Sequence, residues 1–331
     1  MAAVAWLLYG LARDFGAGPP AARRLFGWAL LTAPVSVYGY LLYPVAPAAL
    51  GMLVGVRSVL RLDAPGRGAG IGLLAGFLPW LHPGFTAPAA VLVAAALWRA
   101  RHDVARLGLP VIGGVLATGL VWLAGYTAFF QAPLTSGEYA FGFRWRFFAT
   151  AWLGFIADRH YGILAAAPVF VLAAAACVRI RSSLRTAAVA LVAGMPLASA
   201  LLASCFVDWT GFSATFSRLL APAAIPLLAA AALAWEHGRR PTRILFTVLA
   251  GWGAAVSAAV SILPPLLYEM SSARLFDLLH DWGWPAVWGL LPDLARPAAG
   301  PALAHGAAVS ALAVGVAWWT ARRLARSGEV A

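Results

Sequence analysis

The sequence predicts an all-α fold, a polytopic integral membrane helical bundle of about ten spanning helices. Three observations predict it. The 331 residues are 62% hydrophobic and only 11% charged, where soluble domains carry roughly 25% charged residues. Apolar runs of roughly eighteen residues or more recur along the chain, each enough to cross a hydrocarbon core about 30 Å thick. The arginines fall in clusters between those runs, as expected of loops on one side of a bilayer. A single membrane domain covers residues 1–331.

The first stretch, Met1–Leu11, is apolar but too short to span, and its arginine, Arg13, follows it. A secretory signal carries its basic residues in front. The stretch therefore reads as a short N-terminal helix remnant, the tail of a spanning helix whose start is absent. Spans are then predicted at 25–43, 46–61, 68–81, 85–98, 107–130, 161–178, 186–206, 217–235, 243–263 and 301–320. Those at 46–61, 68–81 and 85–98 are short and read as tilted, broken or re-entrant. Tyr43-Pro44, Gly66-Arg67-Gly68, Pro79 and Pro83 punctuate them, since proline ends helices and glycine loosens them.

Orientation follows from the arginines. The chain has no lysine, and eighteen of its 24 basic residues lie in alternate connections, in clusters around Arg13, Arg57, Arg99, Arg179, Arg239 and Arg322. The positive-inside rule makes that side, and the C-terminus with it, cytoplasmic. The net charge of +12 is thus a topology signal and not a nucleic-acid surface, because no basic face is continuous. Segments 131–160, 207–216 and 264–300 face outward and hold seven of the twelve acidic residues. The span interiors lack ionisable residues, which argues against ion-coupled transport. Cys177 and Cys205 fall near opposite faces, too far apart for a disulfide, and read as small buried apolar residues.

Chemistry then has to come from the outward segments. Phe141 to Ile156 reads as an outer-face interfacial helix, with Phe141, Trp145, Phe148, Trp152 and Phe155 recurring on one face. Arg144 and Arg146 beside these rings either anchor a surface loop or offer guanidinium forks to a lipid phosphate. Asp158-Arg159-His160-Tyr161 joins a carboxylate, a cation and an imidazole, which suits a general base or a phosphate clamp. The structural alternative makes Asp158 the N-cap of the next helix, with Arg159 paired to a neighbour. Asp208-Trp209-Thr210-Gly211, with Arg218 beyond it, suits a sugar, the ring face on Trp209 and hydroxyls on Asp208. It suits a polar turn at Gly211 equally well. His82 and His305 have no second ligand at metal spacing, and no phosphate loop, nucleophile elbow or zinc-protease motif is present.

Four stretches, taken in order, also carry a family resemblance. They are Leu42-Tyr43-Pro44 with Pro47-Ala48-Ala49-Leu50; Leu78-Pro79-Trp80-Leu81-His82-Pro83; Tyr161-Gly162-Ile163-Leu164 with Ala167-Pro168-Val169-Phe170; and Leu263-Pro264-Pro265-Leu266-Leu267-Tyr268 with Leu290-Leu291-Pro292. Together they resemble a bacterial branch of the C-type (GT-C) polytopic membrane glycosyltransferases, and Asp208-Trp209 with Arg218 is similar to a further segment of it. The resemblance implies transfer of a hexose or pentose from a polyprenyl-phosphate sugar to an extracytoplasmic acceptor, at the bacterial plasma membrane. It implies membrane lipid and polyprenyl-phosphate sugar as partners and no nucleic acid; a divalent metal is implied by the resemblance alone.

By their charge and location on this chain, the catalytic candidates are Asp158 and Asp208. The substrate-binding candidates are Arg144, Arg146, His160, Trp209 and Arg218. The chain also departs from the branch. The family's first spanning helix and the outer loop bearing its acidic base have no counterpart. Val45 stands in place of a glutamate, Gly84 in place of a basic residue, and His160 in place of an acidic one. The departures imply a longer chain or a shortened, inactive relative. The alternative expectation is therefore a non-catalytic membrane subunit, or a lipid-binding or lipid-translocating relative.

Overall fold

The computed structural model describes residues 1–37, 44–130, 147–181, 183–205, 220–262, 289–294 and 300–326. Among these residues 84% are helical and none lies in a strand. The first half contains α1 (Ala2–Phe15), α2 (Pro19–Leu31), α3 (Val45–Leu60), α4 (Pro65–Leu81), α5 (Thr86–Arg99) and α6 (Leu109–Phe130). The second contains α7 (Phe148–Ala157), α8 (Ile163–Ala166), α9 (Phe170–Ala176), α10 (Arg185–Ser204), α11 (Ala221–Ala224), α12 (Ala231–His237), α13 (Arg240–Ile262) and α14 (Gly300–Arg326).

Four helical stretches among the described residues are long and apolar enough to cross a membrane: Val104–Gly125, Arg185–Ser204, Arg240–Ile262 and Gly300–Arg326. Several other predicted spans are shorter or interrupted. The 25–43 prediction corresponds to a helix ending at Leu31, where Thr32 is extended and Pro34 follows without an N–H to give. The 161–178 stretch divides into α8, α9 and a 3₁₀ turn at Cys177–Arg179. Pro168 biases the residue before it away from helical geometry, and Ala167 indeed leaves it at φ −145°, ψ 62°. The 217–235 stretch contains α11, a 3₁₀ segment Ile225–Ala230 and α12, with Pro222 and Pro226 at the first turns of two of these pieces.

That last, irregular stretch forms the centre of the molecule. Residues 220–234 are buried throughout, and α1, α3, α9 and α10 surround them. Short α and 3₁₀ pieces leave more backbone groups outside a regular i→i−4 ladder, and the alanines let neighbouring helices come close enough to cover them.

The α4–α6 pair shows what the glycines do. Gly68, Gly72 and Gly76 recur at four-residue spacing on the face of α4 that meets α6. A Cβ on Gly72 would strike the Val111 carbonyl, and one on Gly76 the Thr118 hydroxyl. A Cβ on Gly68 would lie 2.7 Å from the Leu107 carbonyl oxygen, and one on Gly114 would lie 2.5 Å from that of Ala69. This is close backbone approach through small residues, the common packing mode of membrane helices. Gly66-Arg67-Gly68 therefore does not interrupt the chain as expected: α4 begins at Pro65 and runs through it, with Pro79 also inside the helix.

The arginine clusters meet at one end of the bundle. Asp14, at the end of α1, pairs with Arg57 at 2.7 Å and with Arg61, both at the end of α3. The Arg181 amide donates to the Phe15 carbonyl at 3.2 Å, and the Gly18 amide to Glu236 Oε2 at 2.6 Å. Arg179 Nη2 lies 3.4 Å from His237 Nδ1. The longest helix, α14, packs along α7, α9 and the Cys177–Arg179 turn. Near its start, Gly306 faces Leu153, Pro292 and Leu294. At 1.5 Å per residue such a helix is about 40 Å long, so the residues around Leu294 and the arginine-rich end lie at opposite ends. Only 6% of its apolar window is buried, and Leu312, Val314 and Trp318 are exposed along it.

Of the expected interfacial helix, residues 141–146 lie outside the described residues. Its described part is α7, which packs against α10 and α14. Phe148 stacks on Trp152 with centroids 6.1 Å apart, while Phe155 turns into the core.

Candidate functional site

The site is built from the turn that follows α7 and the short stretch 292–294 that reaches it. At Asp158 the chain leaves the helix, with φ −62° and ψ 135°. Its carboxylate then bends the chain back. Oδ1 accepts the amide N–H groups of His160 and Tyr161, each at 2.8 Å, and the Asp158 carbonyl accepts that of Gly162 at 2.9 Å. Aspartate favours such turns because its short side chain reaches the amides two and three residues on. Glycine is required at 162 by space: a Cβ there would sit 2.5 Å from the Asp158 carbonyl oxygen and 2.6 Å from its nitrogen.

The second carboxylate oxygen ties the turn to a distant part of the chain. Asp158 Oδ2 accepts the Leu294 amide at 2.6 Å, and the Arg159 amide donates to the Pro292 carbonyl at 3.0 Å. Arg159 Nη2 donates to Asp293 Oδ2 at 2.8 Å, while Arg159 Nε donates to His160 Nε2 at 3.0 Å. That bond assigns the His160 ring the tautomer with its proton on Nδ1. Asp293 Oδ2 also lies 3.8 Å from His160 Nε2. The His160 and Tyr161 rings meet edge to face, 6.2 Å apart.

Four ionisable side chains are thus gathered where almost no solvent reaches. Asp158 is 0% exposed, and Arg159 and His160 are buried with it; the Asp293 side chain is 16% exposed. Burial pushes the Asp158 carboxyl above its ordinary value, against the pull of the Leu294, His160 and Tyr161 amides. Charges survive burial when each finds a partner, and here a cation bridges a carboxylate and an imidazole. Chemically, the arrangement braces two segments. Both Asp158 oxygens are engaged by main-chain donors.

Of the predicted site residues, the structure brings Asp158 and His160 together. Arg144, Arg146, Asp208, Trp209 and Arg218 lie outside the described residues. The N-cap alternative for Asp158 comes close to the observed geometry: the carboxylate caps its own turn, and the cap residue of α8 is Gly162. Arg159 does pair with a neighbour, as that alternative expects. Of the cluster's members, Asp293 was missed, and Arg159, read as the cation of its group, was not carried among the substrate-binding candidates. For Arg159 the signal was its place between two candidates. For Asp293 there was only its position after Leu290-Leu291-Pro292, because nothing local pairs residues 134 apart in sequence.

The divalent metal implied by the family resemblance does not fit this cluster. Asp158 has both oxygens on amides and Asp293 serves Arg159. Among the described residues, no three of His, Cys, Asp and Glu converge as ligands would. His82 instead caps its own turn, Nδ1 accepting the Gly84 amide at 3.0 Å. Cys177 and Cys205 are buried free thiols.

Comparison of the chain with protein-family models, with curated proteins and with solved structures finds no match.

Proposed function

We propose that the protein is a multi-pass bacterial membrane protein of about ten spans, a GT-C-like glycosyltransferase working on the outer face with its C-terminus cytoplasmic. One observation carries the reading. The arginine clusters of four connections meet at one end of the bundle, and the Asp158–Arg159–His160–Asp293 cluster closes near the other. A chain so divided puts its anion-attracting side toward the cytoplasm and its polar outward segments on the side where lipid-linked sugars are consumed.

In this reading Asp208 takes the proton from the acceptor hydroxyl as the bond from sugar to lipid phosphate breaks with inversion. Arg144, Arg146 and Arg218 hold the leaving phosphate, and Trp209 supports the sugar ring. Asp158 and His160 position the outward segments and do not touch substrate. No step runs through a metal.

A second reading, a non-catalytic subunit or a lipid-binding or lipid-translocating relative, is favoured by one fact. The buried carboxylate at 158 is fully engaged by three amides, as a brace would be and a base would not.

Membranes carrying the protein, given a labelled polyprenyl-phosphate hexose or pentose and an acceptor, should transfer the label, and Asp208→Asn should abolish the transfer. No transfer with any donor decides for the second reading, and transfer indifferent to Asp208→Asn removes Asp208 as the base. Orientation is tested separately with a membrane-impermeant thiol reagent on intact cells. Cys177 and Cys205 are buried and give little background. Leu290→Cys should label, and Arg239→Cys should label only after permeabilisation; the reverse pattern overturns the topology.

A further inference from the structure

At the arginine-rich end, the junction of α12 and α13 forms a groove of about 640 Å³. Its walls differ in chemistry. Arg239, Arg240 and Arg243 line one side, and Ile244 and Val248 continue down the same face of α13, as spacings of three and four residues require. All five are exposed, Val248 to 60%.

Trp235 also lines the groove, held between a cation and another ring. Arg24 lies over its face at 4.6 Å and Phe246 meets its edge at 5.4 Å. Arg243 is fixed in place, donating from Nε to the Trp235 carbonyl at 3.0 Å and from Nη2 to the Glu236 carbonyl at 3.2 Å. Those bonds use two of the five N–H donors a guanidinium carries. The nearest acidic residue in sequence, Glu236, gives Oε2 to the Gly18 amide. Among the described residues, no carboxylate pairs with Arg239, Arg240 or Arg243.

We propose that this groove binds the headgroup of an anionic phospholipid, its phosphate on the arginines and its acyl chain along Ile244 and Val248. Three features favour a lipid over a soluble anion. Among the described residues, no carboxylate neutralises these cations. The apolar wall belongs to a helix long and apolar enough to span, so it continues directly from the charged rim into the hydrocarbon. A tryptophan at the boundary matches the usual aromatic anchor at headgroup depth, and basic grooves at helix ends are a known form of lipid site. That the lipid comes from the cytoplasmic leaflet rests on the orientation proposed above. The groove's chemistry does not.

The test is native mass spectrometry of the full chain in a neutral detergent, titrated with phosphatidylglycerol and separately with phosphatidylcholine. The wild type should retain one phosphatidylglycerol in preference to phosphatidylcholine. Arg239→Ala with Arg240→Ala, two exposed side chains whose removal leaves no buried partner, should weaken retention roughly 30-fold, at about one arginine's surface attraction each. A variant of matched charge loss, Arg322→Ala with Arg323→Ala, should retain the lipid. Equal retention of both lipids, unchanged retention in the first variant, or equal loss in both variants overturns the proposal. Displacement by inorganic phosphate at the lipid's own concentration overturns it in favour of a soluble-anion site. Retention in detergent is blind to orientation, so failure of the topology and failure of the groove are read apart.

Discussion

Near the Asp158 turn, four ionisable side chains are closed off and joined to one another and to main-chain amides. At the opposite end, arginines are mostly exposed and rest on carbonyls, on tryptophan rings and on a few carboxylates. The side-chain types are the same, and the difference is their access to water and headgroups. A charge kept near water loses little when a partner is removed, since solvent takes the partner's place. A buried charge has no such substitute. The two ends should therefore fail differently, and substitutions can measure how differently.

The largest effect is expected in the buried cluster. Asp158→Ala strands three amides, and Arg159→Ala leaves Asp293 without its cation. Each should cost about 3–5 kcal/mol of stability, read by thermal or denaturant unfolding in detergent. A loss below about 1 kcal/mol would mean that water reaches the turn.

At the arginine end the corresponding group is Asp14, whose carboxylate is 13% exposed but whose partners reach water, Arg57 at 22% and Arg61 at 53% exposed. Asp14→Asn should cost about 1 kcal/mol, and added salt should shrink the difference. A cost matching Arg159→Ala would erase the contrast.

His237 gives a smaller effect with a definite sign. Burial first, and the Arg179 charge second, lower its folded pKa below 6.5, against a weaker pull from Glu236. The unfolded chain therefore holds the proton more tightly. The stability contributed by a neutral His237 is full above pH 6.5 and is lost as the pH falls through the lowered folded value. Melting temperatures on either side of pH 6.5 should show this dependence in the wild type, and His237→Gln should flatten it. Equal slopes would remove His237 from the account.

The smallest effect belongs to Asp63, whose side chain is 70% exposed and pairs with Arg67 four residues on. Asp63→Asn should change stability by at most about 0.5 kcal/mol, which makes it the reference for the other substitutions.

Much of the arginine end was legible in the sequence. Arg13, Arg57, Arg179 and Arg239 fall in alternate connections, and their neighbourhoods meet at one end of the bundle. The buried cluster was legible only in half. Asp158, Arg159 and His160 are adjacent in sequence and announced themselves as a group, whereas the residues that complete them, Asp293 and Leu294, approach from another segment. The glycines were misread for a related reason. Gly68 looks like a helix breaker until α6 is laid against it, because the space its missing side chain leaves is filled by another chain segment.

Composition and charge spacing alone determined an all-helical, membrane-type chain with its arginines segregated, because hydrophobicity and the positive-inside bias act on each segment independently of its neighbours. Where proline divided helices, which glycines became a seam, and whether Asp158 faces solvent or three amides were decided by the tertiary structure. These depend on what packs across from each residue, and the contacts that complete them, such as the Leu294 amide on Asp158, come from segments far apart in the chain.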